Sequence, residues 1–301
     1  MSYRRTRRTF LQQSIAAVAA FSTAAHAEVN IAKRAHICIT CGTQFAETAG
    51  PPPNCPICDD ERQYVGWEGQ RWTTLPEMLG RFKNVIREEE PGLHSIHTQP
   101  KIGIGQRALL VRTPGGNLLW DCVPLVDDTT VTAIKALGGL AAIAVSHPHY
   151  YTAMIEWSHA FGNVPVHLNK ADSQWVMRPD KSIEFWEGTT KKLFGGLTLI
   201  NTGGHFEGFQ VAHWPAGASS RGALLSGDQP QVCQDRRWVS FMYSYPNMIP
   251  LPSPAIRRIS EALKPFAFDR LYGAFPGLTV GSDAKNALDR SVQRYVRAIG
   301  S

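Results

Sequence analysis

The sequence predicts an α+β protein: two mixed β-sheets face to face with helices outside, preceded by a small cysteine-bound segment. Three features point to it. Short apolar runs at residues 140–145, 199–200 and 223–225 each break into a corner that carries a histidine or an aspartate. Helical patterns are interspersed with them and close the chain, at 253–263 and 284–299. Two C-x-x-C pairs, Cys38/Cys41 and Cys55/Cys58, occupy the N-terminal part.

The 301 residues suit one large domain or two smaller ones, and 43% hydrophobic with 19% charged residues is ordinary globular composition. The formal charge of +6 is uneven, because Arg4, Arg5, Arg7 and Arg8 precede the first acid, Glu28. From residue 28 onward 27 basic residues face 25 acidic ones, a balance that argues against a nucleic-acid surface. Residues 1–27 have a basic start, a weakly apolar middle and Ala25-His26-Ala27, the three-part pattern of an export signal cleaved after Ala27. Thr6-Arg7-Arg8-Thr9-Phe10-Leu11 resembles a bacterial twin-arginine signal, with Gln12 where lysine is common. No strongly apolar run of roughly 20 residues exists, so no membrane span is expected. The mature protein is expected to be periplasmic or secreted and to start near Glu28.

Thirteen residues separate Cys41 from Cys55, and each C-x-x-C turn can aim two sulfurs at one ion. Gly42 and Pro56 are turn residues that suit such knuckles. The segment resembles zinc-ribbon and rubredoxin-like knuckles, with a short spacing between pairs and Asp59 where glycine is frequent. Zinc is expected over iron, which is the other possible occupant; two disulfides are the alternative in an oxidising compartment. A closed four-sulfur shell has no open position, so this ion is expected to be structural and to pin residues 62–72 onto the body. Residues 73–87 read as a short helix, with Thr74 as N-cap and Glu77 completing a capping box.

Further on, the turn at 113–117 joins two apolar runs into a β-hairpin. Residues 127–137 form a helix with an acidic start and glycines behind it. Residues 140–145 read as a strand buried on both faces, followed at once by His147-Pro148-His149. In an extended segment alternate side chains share a face, so His147 and His149 are expected to aim at one point, with Pro148 discouraging helix between them. Residues 164–168 and 193–201 read as strands, 209–214 and 222–225 as a hairpin, and 245–254 as a wrapping loop.

The runs at 199–205 and 223–228 share that grammar: an apolar strand, then glycine, then His205 or Asp228. His147, His149 and His205 make a three-nitrogen metal shell with one position left open. Asp228 can bind the ion or orient a water, and Asp121, at an earlier strand end, can hold a histidine ring from behind.

Asp121, His147-Pro148-His149, Gly204-His205 and Gly227-Asp228, in this order, resemble the metallo-β-lactamase-fold hydrolase superfamily over roughly residues 92–301. The resemblance implies a four-layer αββα sandwich with metal in a cleft at one edge. It divides the chain into a signal at 1–27, a zinc-ribbon-like four-cysteine segment at 28–72 and a metallo-β-lactamase-like domain at 73–301. The family's motif runs on with ligands for a second ion, but here Tyr151, Thr152 and Phe275 stand in those places. One zinc in the histidine site and one among the four cysteines are therefore expected. The expected activity is hydrolysis of a small ester, lactone, thioester or amide by a zinc-bound water. Asp228 would position or deprotonate that water, and Tyr150 or Tyr151 would donate to the developing oxyanion or leaving group. The alternatives are a non-catalytic metal-binding or ligand-sensing protein and, more remotely, a redox role through iron at the cysteines. Trp238, Phe241, Tyr243 and Tyr245 read as an aromatic loop at the mouth of the cleft, with Arg236 and Arg237 placed to meet an anionic group. His159, His167 and His213 fit no motif, and Cys122 and Cys233 read as small buried residues.

Overall fold

The computed structural model describes residues 33–300. The export-signal expectation for residues 1–27 lies outside that range. Within it, alternating side chains feed three separate apolar layers. In the strands Ala108–Thr113, Gly116–Trp120 and Ala142–Ala144, Leu110, Leu119 and Ile143 face outward to Ile134, Ile155 and Trp157 of two helices. Their neighbours Leu109, Val111, Leu118 and Trp120 face inward to Leu199, Ala212, Trp214 and Leu225 of a second sheet. Ile200, Val211 and Leu224 of that second sheet meet Ile256, Ile259, Leu263 and Leu288 on its outer side. Helix, sheet, sheet and helix thus succeed one another, as the sequence predicts.

The first sheet has seven strands, in the order 183–186, 166–169, 142–144, 116–120, 108–113, 93–99 and 83–90. The strands from 116–120 out to the 183–186 edge run parallel, and Ala142–Ala144 among them is buried on both faces. The second sheet has six, in the order 190–192, 198–201, 210–214, 223–227, 270–273 and 279–280. The helices Ser253–Leu263 and Ala284–Ala298 cover it, and Asp128–Ala136 and Met154–Ala160 cover the first. Among the described residues no helix is long and apolar enough to cross a membrane.

Arg107 ties the two sheets together. Its side chain is wholly buried, with Nη1 3.2 Å from Glu89 Oε1. Nε donates to Gly273 O, and Nη2 donates to Leu278 O and Thr279 Oγ1.

Two local expectations differ from the structure. The helix expected over 73–87 shrinks to one turn, Leu75–Met78, in which Glu77 accepts from the Thr74 amide at 3.1 Å. Residues Lys83–Glu90 are instead an edge strand, paired with Leu93–Gln99 across Gly92. Gly92 takes φ +87°, which a side chain resists, and the resulting hairpin overrides the helix propensity of the Glu/Lys/Arg-rich stretch. The strand expected over 193–201, across a turn at Gly195-Gly196, keeps that turn but begins only at Thr198, and Thr190–Lys192 before the turn pairs with Thr198–Asn201 as a hairpin.

The cysteine-bearing segment folds as a three-stranded sheet in the order 44–48, 34–38 and 72–74, so it runs across position 72. It packs directly on the sandwich. The Gln44 amide donates to Thr152 O and the Gly103 amide to Ile39 O. A Cβ on Gly42 would stand 2.7 Å from Pro124, which is why glycine is needed there.

His167, on Val166–Asn169, has Nδ1 3.3 Å from Glu184 Oε2. Burial, reinforced by the charge of Lys191, pushes its pKa down to about 4. In the unfolded chain it titrates near ~6.5. Between those values the unfolded chain takes up a proton that the folded chain refuses, so His167 costs stability as pH falls through that window. His167→Gln is therefore expected to recover up to about 3 kcal/mol relative to wild type on going from about pH 7.5 to about pH 4.5. Urea midpoints at the two pH values check this; an unchanged difference would reject it.

Candidate metal centre

Three chain corners meet at one edge of the stacked sheets. The first follows Ala142–Ala144, where His147 is still extended and Pro148–Tyr150 then turns as a single 3-10 turn. His147 and His149 do converge, but not by strand alternation: His147 ends the extended run and His149 returns from the turn that Pro148 starts. The second corner, after Thr198–Asn201, carries His205, and the third, after Ala223–Gly227, carries Asp228.

One ligand atom from each of His147, His149, His205 and Asp228 lies within 4.8 Å of the others, and all four residues are buried. His149 Nδ1 is 3.2 Å from His205 Nε2, and His147 Nε2 is 3.4 Å from Asp228 Oδ2. His205 Nδ1 lies 3.2 Å from the Met242 carbonyl, which can only accept. The Nδ1 of His205 therefore holds the proton, and its Nε2 offers a lone pair to the centre. His147 Nδ1 sits 2.9 Å from Ser146 Oγ, and the Ser146 amide donates to Asp121 Oδ1 at 2.7 Å. Asp121 thus reaches His147 through Ser146 rather than touching a histidine ring itself.

The electrostatics suit a cation. Burial pushes His205 down to about 4 and His149 down as well, so both rings stay neutral. Burial also pushes Asp228 up, but its electrostatic contacts with the His147 and His205 rings outweigh it and hold the carboxyl below its usual range. Burial raises Asp121 to about 7 against the opposing hydrogen bonds from Ser146. His147 Nε2 and Asp228 Oδ1 are buried without a hydrogen-bond partner, a costly state that a bound ion or its water would relieve. The donor set fits one metal ion.

Tyr150 and Tyr151 are both buried, and neither lines the cleft. Tyr150 donates its hydroxyl to Asp228 Oδ2 at 3.2 Å, and Tyr151 packs in the layer beneath the first sheet. Thr152 gives its carbonyl to Gln44, while Phe275 lines the cleft. Of the aromatic loop, Tyr245 does face the cleft, and its hydroxyl donates to the Asp228 carbonyl at 2.6 Å. Arg236 and Arg237 instead bond to Cys233 O and Asp235 and line no part of it. Cys122 and Cys233 lie in neither metal-capable group.

The cleft has a volume of about 340 Å³, and one wall comes from residues that sequence patterns do not single out: Thr40, Arg62, Gln63 and Tyr64. All four belong to the cysteine-bearing segment. In that segment the four sulfurs also converge within 4.8 Å, with Cys38–Cys58 at 3.7 Å and Cys41–Cys55 at 3.8 Å. A disulfide needs about 2 Å, whereas a tetrahedron with arms of about 2.3 Å has edges of about 3.8 Å. Gln70 Nε2 donates to Cys38 Sγ at 3.2 Å, a contact that would favour a thiolate there.

Solved metallo-β-lactamases share this stacking of sheets. The DIM-1 metallo-β-lactamase matches with a TM-score of 0.55 at 17% identity, over 72% of this chain and 98% of that one. The metallo-β-lactamase from Pontibacter korlensis matches with a TM-score of 0.52 at 16% identity, over 71% and 99%. The protein therefore has the metallo-β-lactamase fold, with a metal-capable His/Asp group at the edge of its sheets. No protein-family model matches it. The chain belongs to the family of the Bacillus subtilis (strain 168) "Uncharacterized protein YmaE", with which it is 47% identical over 268 residues, 88% of this chain and 97% of that protein.

Proposed function

We propose that the protein is a mononuclear zinc-dependent hydrolase of a small ester, lactone, thioester or amide. One observation carries this reading: three imidazoles and a carboxylate converge on one point that opens into a cleft. Zinc held there would acidify a water and polarise a carbonyl. His147 Nε2, His149 Nδ1 and His205 Nε2 would hold it, with Asp228 Oδ2 beside them. Asp228 Oδ1 has no protein partner and is the atom placed to orient an attacking water or take its proton. Tyr150 fixes Asp228 through Oδ2, and Tyr245 fixes its backbone and walls the cleft. A second zinc belongs among the four thiols, where no open position exists for chemistry.

Tyr151, Thr152 and Phe275 offer no second set of ligands beside the first. That observation also favours a second reading, a ligand-binding protein without turnover. A panel of nitrophenyl esters, a thioester and a lactone separates the two. The hydrolase reading expects turnover of at least one probe, lost on chelation and restored by zinc. Zinc bound at the imidazoles with no turnover across the panel would favour the ligand-binding reading.

A further inference from the structure

The cysteine-bearing segment does more than decorate the fold, and the connection runs through four residues. Cys55 caps the short helical turn Pro56–Asp59, and Cys58 lies within it. Immediately after it, Asp60 grips Arg62 from both sides, at 2.6 Å on Nε and 2.8 Å on Nη2. The remaining arm of Arg62, Nη1, points to the His205 carbonyl at 3.4 Å, and the guanidinium lies over the Phe206 ring at 4.0 Å. Only 14% of the Arg62 side chain is exposed.

Residues 61–63 also hold the loop that sets two of the four metal donors. Ser244 Oγ donates to Arg62 O, and Asn247 Nδ2 donates to Glu61 O and Gln63 O. Tyr243 donates its hydroxyl to Glu61 Oε1 at 2.7 Å. The same loop supplies the Met242 carbonyl that holds the His205 ring and the Tyr245 hydroxyl that holds Asp228. A displacement of residues 60–63 is therefore passed to His205 by two routes and to Asp228 by one.

We propose that the thiol cluster clamps the imidazole site through Arg62, a positioning residue, so that ions bind to the two sites cooperatively. This rests on the reading of both clusters as metal sites. Linkage makes the effect reciprocal: whatever the first ion does for the second, the second does for the first. Arg62 suits the role because its planar fork meets Asp60 with two nitrogens and still has one left for His205, which a lysine cannot do.

The test titrates the metal-depleted full chain with zinc against a chromophoric chelator and resolves two binding constants. Cobalt(II) in place of zinc assigns them, because charge-transfer bands arise only where thiolates bind the ion. Arg62→Ala is expected to leave the thiol-site constant unchanged while the imidazoles are empty and to weaken the imidazole site at least about tenfold with the thiols loaded, the usual scale for loss of an outer partner. Arg62→Lys should remain close to Arg62→Ala. The double variant Cys55→Ser/Cys58→Ser should weaken the imidazole site too; if it does not fold, Arg62→Ala decides alone. An imidazole-site constant untouched by Arg62→Ala, with the thiols loaded, overturns the clamp. A wild-type chain that takes no zinc at the imidazoles removes the hydrolase reading together with it. Turnover is not measured, so a failure of catalysis alone leaves this result standing.

Discussion

Replacing His149 with alanine is expected to lower zinc content from two ions per chain to one and to cut turnover by at least about a thousandfold. The ring supplies Nδ1 from the 3-10 turn, 3.2 Å from His205 Nε2, and lies against the cleft. Without it one of the three ring nitrogens is lost, which weakens the hold on zinc, and Asp228 is drawn onto the ion in its place and no longer serves the water. Polarisation by a bound ion is worth several kcal/mol in the transition state, and each ~1.4 kcal/mol is tenfold in rate. The thiol cluster, with its own four donors, should keep its ion. Elemental analysis and turnover on one preparation check both halves. Full activity in a variant whose single ion sits among the thiols would end the case for chemistry at the imidazoles.

Arg107→Met is expected to have the largest effect on stability, about 3–5 kcal/mol, the scale of breaking a buried ion pair from one side. Its wholly buried guanidinium binds Glu89, two carbonyls and the Thr279 hydroxyl. Methionine keeps much of the stem but leaves the carbonyls of Gly273 and Leu278 without this donor. For a domain of this size the loss corresponds to a fall in melting temperature of roughly 10 °C. Calorimetry measures it directly. A shift no larger than the ~0.5 kcal/mol of an ordinary surface substitution would mean that Arg107 does not tie the sheets.

The four metal-capable residues of the candidate site were legible because each is announced locally: an apolar run, a break, then a metal-capable side chain. The four cysteines were legible for the same reason, since two short repeats imply one shared point. What brings His149 inward was not legible, because a single 3-10 turn leaves no periodic trace. Ser146 between Asp121 and His147 was missed because a serine beside a histidine carries no signal of its own. The strand Lys83–Glu90 reads as helix on propensity, and only its pairing across Gly92 decides otherwise. Arg62 and the wall of the cleft were out of reach, since nothing near residue 62 indicates that its partner is the carbonyl of residue 205. Tyr243 and Tyr245 stood out as an aromatic loop, yet their targets, Glu61 and the Asp228 carbonyl, come from tertiary structure alone.

The contact between Arg62 and His205 spans 143 residues of chain. A ribosome delivers the thiol segment long before it delivers any of the three imidazoles. Closing so long a loop must wait until the second sheet exists to receive it, whereas the thiols can gather around an ion at once. The order of assembly follows. The segment's contacts with residues 103 and 152 can form before the second sheet exists, but the one that reaches His205 cannot, so the front wall of the histidine pocket is completed after the segment has already docked.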